Sequence, residues 1–218
     1  MNIIFKNAPQ ARDKDIVPRI LILVLSVISA AFLFAPVIVS FMSNFTQGTG
    51  SVTYSIFKCL FALSLIICAA IAFATRRVAS MLLPCILGLV TVIFPLFESI
   101  KDYSYIKSIA DKFSFDQDYT AYLIAMGIYL AYAILCIFSA FYVTGIIKSS
   151  IFVTLMSVVS SLGTLFIAID KGTNYDTTTF DVLTFASATI TTLIPFVAVL
   201  GCKRNVSEES NKAKRYKK

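Results

Sequence analysis

Apolar residues in this chain fall into six long runs, roughly residues 18–42, 54–75, 78–97, 119–144, 149–169 and 182–202, parted by short polar links. Each run can cross a hydrocarbon core of about 30 Å at about 1.5 Å per residue, as a helix that satisfies its own backbone hydrogen bonds. The pattern predicts an all-α, polytopic integral membrane protein with six transmembrane helices arranged as three hairpins. Residues 1–202 then form a single six-span domain, and residues 203–218 a basic, disordered tail. The first run follows positive charge but, at about 25 residues, is too long for the apolar part of a cleaved signal peptide, so the first helix is expected to stay.

The links divide by charge. Lys6, Arg12, Lys14 and Arg19 precede the first run, Arg76 and Arg77 part the second from the third, Lys148 precedes the fifth, and the tail KRNVSEESNKAKRYKK is strongly basic. Between these lie an uncharged link, SNFTQGTGSVT, an acid-rich one at residues 98–118, and DKGTNYDTTTFD with three Asp against one Lys. Lys and Arg are retained on the cytoplasmic side. Every link therefore agrees on one orientation in a cell membrane: multi-pass, with both termini cytoplasmic.

Residues 98–118 carry a second pattern. Ile100, Tyr103, Ile106, Ile109 and Phe113 recur every three or four residues, with Lys101, Asp102, Lys107, Ser108 and Asp111 between them. This predicts a short amphipathic outer helix between spans three and four, lying in the interface as a connector, with a lid over an outward-facing cavity as the alternative. Asp116 or Asp118 is placed to cap the fourth span.

Composition supports lipid as the solvent. The chain is 58% hydrophobic and 14% charged, against about 45–50% and about 25% for an ordinary soluble domain. The net charge of +7 lies outside the apolar runs, so it points to anionic headgroups and topology; no nucleic-acid partner is expected. Cys59, Cys68, Cys85, Cys136 and Cys202 sit in or beside apolar runs without a CxxC pair, and read as small apolar residues.

Chemistry is sparse. The sequence contains no histidine, which removes Ser-His hydrolysis, HExxH proteolysis and most zinc sites. It has no pair of acids within the spans and no phosphate-binding glycine loop. No catalytic, metal or cofactor site is expected, and the protein reads as non-enzymatic. Lys58 and Glu98, near the outer ends of spans two and three, are candidates for an ion pair or a cavity wall, with interfacial anchoring as the simpler role of Lys58. Pro36, Pro84, Pro95 and Pro195 mark kinks, which in lipid often border cavities. Ser26 with Ala30, Ala31 with Ala35, and Ser157 with Ser161 place small residues at four-residue spacing, as close helix contacts require.

In size, six-span topology and the Ala31-x-x-x-Ala35 motif, the chain resembles the substrate-binding subunits of energy-coupling-factor vitamin transporters. That resemblance rests on architecture and one short motif, and implies only that Ala31 and Ala35 form a helix-contact face. The expected function is a membrane subunit or accessory protein, working in the lipid bilayer through another membrane subunit. The alternative is a solute-binding or permease component energised by a separate ATPase.

Overall fold

The structure is a computed structural model that describes residues 16–44, 49–113, 119–147, 149–173 and 179–201. Six helices account for nearly all of them: α1 (Ile16–Asn44), α2 (Thr49–Thr75), α3 (Leu82–Phe113), α4 (Thr120–Val143), α5 (Ile151–Thr173) and α6 (Thr179–Gly201). A 3-10 turn, Val78–Met81, leads into α3, and among the described residues there is no strand element. All six helices are long and apolar enough to cross a membrane. The protein is thus an all-helical membrane protein by length and composition.

Each helix packs against its neighbours in sequence, and α6 closes on α1. The result is a ring of six. Outward faces carry large apolar side chains, such as Val24 and Val27 on α1 and Leu155, Leu162 and Phe166 on α5. Exposed in this way they need lipid, because water would not tolerate so continuous an apolar surface.

The seams on either side of α6 are made of small and hydroxylated residues. Ser29 of α1 meets Ser187 and Thr191 of α6, with hydroxyl oxygens 2.9 and 2.5 Å apart, and Ser187 donates to the Ser29 carbonyl at 2.8 Å. On the other flank the Ser157 hydroxyl donates to the Thr192 carbonyl, and Ser161 lies 2.9 Å from the Thr192 hydroxyl. Lipid chains are as apolar as leucine, so close packing and such hydrogen bonds, rather than apolar burial, hold membrane helices together. Ser26, Ala30, Ser157 and Ser161 are buried in these contacts, whereas Ala31 is exposed and Ala35 half-buried.

One end of the ring is fastened by Arg19. Its guanidinium donates to the Phe73 carbonyl at 3.4 Å and lies 5.8 Å from the Phe73 ring centroid. Phe73 is in the last turn of α2, where carbonyls lack a partner within the helix and a cation is favoured. Val78 and Met81 of the 3-10 turn are buried beside this end, and Ser80 donates to the Cys68 carbonyl at 3.0 Å.

Helix α4 stops in a glycine-dependent turn. Gly145 has φ 79°; its N–H reaches the Tyr142 carbonyl at 3.0 Å, and the Ile146 N–H reaches that of Phe141 at 3.0 Å. This is the paired bonding of a Schellman motif, which requires a left-handed residue that glycine adopts without strain. Gly145→Ala is expected to cost about 1 kcal/mol, read as a lowered melting temperature in detergent.

The amphipathic stretch differs from expectation. It is not a separate short helix: α3 runs unbroken to Phe113, including Pro95. Its 32 residues span about 48 Å, well beyond a core of about 30 Å. Nothing between Glu98 and Phe113 breaks a helix, so the backbone simply continues once nucleated. Its apolar stripe turns partly to protein: Tyr103 meets the Tyr119 ring edge-on at 5.5 Å, and Ala110 is buried. The start of α4 has Tyr119 as its cap residue, with no side-chain capping bond; Asp116 and Asp118 lie outside the described residues.

Candidate functional site

A ring of helices without a seventh at its centre leaves space on its axis. One such space, 270 Å³, lies at the end opposite Arg19 and is walled by side chains from all six helices. Leu33 comes from α1, Tyr54, Lys58 and Phe61 from α2, and Thr91, Val92, Pro95 and Glu98 from α3. Tyr129 and Tyr132 come from α4, Thr164 from α5, and Thr184, Phe185, Ser187, Ala188 and Thr191 from α6. Glu98 is exposed as well as part of the wall, so the cavity reaches the surface there.

The mouth is built on aromatic packing. Tyr54 and Phe57 lie against Phe94, with ring centroids 5.3 and 6.0 Å apart. The Lys58 ammonium sits 4.1 Å from the centroid of Tyr54, a cation–π contact that steadies a charge near lipid. Among the described residues of the wall one side chain is basic and one acidic, so their formal charges cancel.

Deeper in, the hydroxyls have a definite polarity. Thr91 donates to the Gly88 carbonyl at 2.9 Å, Thr164 to that of Ser160 at 2.8 Å, and Thr191 to that of Ser187 at 2.8 Å. A threonine has one proton to donate. The Thr91 and Thr164 oxygens are therefore left with acceptor capacity only, the Thr191 oxygen is engaged by Ser29 and Tyr132, and Tyr129 and Tyr132 bring phenol groups. With Phe61 and Phe185 alongside, the wall offers apolar area with a few directional polar groups, the usual make-up of a small-molecule site.

The residues singled out from sequence distribute as follows. Lys58, Glu98 and Pro95 enter this one wall. Pro84 and Pro195 border a smaller cavity deeper in the ring, and Pro36 is buried within α1. Ser26, Ala30, Ser157 and Ser161 lie between helices, away from the wall; Ala31 faces outward. Among the described residues of the segment expected to connect or to cover, Glu98 alone reaches the cavity. Sequence reasoning missed Thr91, Tyr129, Tyr132, Thr164, Thr184 and Phe185. Tyr129 and Tyr132 did leave a signal, since tyrosine in a span usually sits at the membrane interface and these two fall well inside their run.

Among the described residues no group of His, Cys, Asp and Glu could hold a metal ion. No protein family, curated protein or solved structure matches the chain.

Proposed function

We propose that this membrane protein binds a small, formally neutral, partly apolar solute in the cavity that opens at Glu98, as the solute-binding or permease component of a transport system. The observation that carries this reading is a 270 Å³ space walled by all six helices, slightly below the usual range of small-molecule sites, about 300–1,000 Å³. A bundle serving only as a scaffold has no reason to keep acceptor oxygens, phenols and a charge pair around one axial space. With three hairpins and both termini cytoplasmic, as the positive links imply, the mouth faces outward. The sequence has no nucleotide-binding loop, so active uptake would draw on a separate ATPase. The exposed Ala31 also keeps a second reading open, a contact face for another membrane subunit.

Purification from native membranes in mild detergent, followed by native mass spectrometry, tests this. The expected result is a small molecule retained at near one per chain, released on unfolding, with any partner subunit identified in the same preparation. If no molecule is retained and no small neutral amphiphile raises the melting temperature, the binding function is wrong.

A further inference from the structure

The cavity at Glu98 is the first of three that succeed one another through the ring. A second, of 50 Å³, lies deeper, with Met81, Cys85, Cys136 and Ser139 in its wall. A third, of 10 Å³, lies beside Arg19. Adjacent cavities share walls. Phe61, Tyr132 and Thr191 belong to both the first and the second; Ile22 and Val78 belong to both the second and the third.

We propose, resting on the binding function above, that the three cavities are stations of one axial route for the solute. In this conformation the route is closed at two constrictions, Phe61–Tyr132–Thr191 and Ile22–Val78. The first constriction draws on α2, α4 and α6, alternate members of the ring, so its side chains meet across the axis rather than along one seam. All three are buried. Thr191 is held by Ser29 at 2.5 Å and by its bond to the Ser187 carbonyl, which makes it the fixed element. Tyr132 is itself hydrogen-bonded to Thr191, so the Phe61 ring is the part that can turn aside.

The middle station limits what can pass. Among the described residues its wall has no charged side chain, and an ion there would lose its hydration without replacement. It does hold Ser139, 2% exposed, whose hydroxyl has no hydrogen-bond partner among the described residues. Buried hydroxyls are nearly always paired. A passing solute with a polar end would supply the missing partner. The class that fits both stations is a small uncharged molecule, mostly apolar, with one or two hydrogen-bonding groups.

Silver ion is a small thiol-seeking probe, and the wall of the middle cavity already carries Cys85 and Cys136. The full-length protein bearing Ala188→Cys, in lipid nanodiscs, is exposed to Ag⁺. Blocking at each cysteine is then read by peptide mass spectrometry after alkylation of the remaining thiols. The expected order is rapid blocking at position 188, in the first cavity, and slow blocking at Cys85 and Cys136. Adding Phe61→Ala should speed Cys85 and Cys136 by at least about tenfold while leaving position 188 and the buried Cys68, which lies off the route, unchanged. Tyr132→Leu replaces Phe61→Ala if that variant does not fold. An unreactive position 188 overturns the binding function and the route with it. A reactive position 188 with no acceleration at Cys85 and Cys136, or with a parallel rise at Cys68, overturns the route alone. So does parent protein in which Cys85 and Cys136 react as fast as position 188.

Discussion

Ala188→Phe is expected to weaken solute binding at least about 100-fold, equivalent to about 2.8 kcal/mol, without unfolding the protein. Ala188 lies in the wall of the first cavity and packs partly against the core. A phenyl ring there has open space to enter, so it occupies the volume a ligand would take rather than prising helices apart. Overpacking is destabilising where a core is already full, and this position is not full. The melting temperature of the variant should stay within about 4 °C of the parent, while ligand retention in native mass spectrometry disappears. Retention at parental levels would place the ligand elsewhere.

Gly201→Ala should do the reverse, damaging the fold without touching the cavity. A methyl group at Gly201 would collide with the Cβ of Pro18 and come within 2.8 Å of its Cγ. The proline ring has no rotamer to escape into, so α1 and α6 must separate at the end fastened by Arg19. The expected cost is about 1–3 kcal/mol. Gly163→Ala is the useful comparison. Its added methyl meets Ile128 Cγ1 at 2.8 Å, but isoleucine can shift in its rotamer well, so the loss should be smaller. A double-mutant cycle with Pro18→Gly checks the cause: most of the stability lost in Gly201→Ala should return when the obstructing ring is gone. No recovery would locate the damage outside the α1–α6 contact.

Both expectations depend on the closure of α6 onto α1, which no single run of the sequence displays. The run from residue 182 to 202 and the first run each announced a helix, and the structure places α6 at Thr179–Gly201 and α1 at Ile16–Asn44. The small residues at Ser26, Ala30, Ser157 and Ser161 announced close contact without saying with what. Their partners emerged only from the ring: Thr192 for Ser157 and Ser161, and Ser187 and Thr191 for Ser29, a residue that the four-residue spacing had passed over. Ala31 and Ala35 share that spacing, but Ala31 is exposed and Ala35 half-buried, since a helix turning about 100° per residue carries successive small pairs to different faces.

The candidate site was legible only at its rim. Lys58 and Glu98 stood out because charge is rare near lipid, and rarity is a local property. Thr91 and Thr164 did not, because a threonine hydroxyl in a span satisfies itself on its own helix and looks alike whether it faces lipid, a neighbour or a cavity. The amphipathic stretch was misjudged for a related reason. Its periodicity was correct, but whether a helix ends at the membrane surface or runs on depends on what it packs against, here Tyr119.

By itself the sequence determined that the chain is helical and that six segments suit lipid, though not that the third runs on to Phe113. Those properties follow from the demand that each segment satisfy its own backbone in hydrocarbon, which every residue meets locally. The tertiary structure alone decided that the six form a ring, that Phe61, Tyr132 and Thr191 meet on its axis, and that a cavity opens at Glu98. In lipid the apolar faces do not drive assembly; close packing and a few hydroxyl bonds do, and those depend on which helices become neighbours.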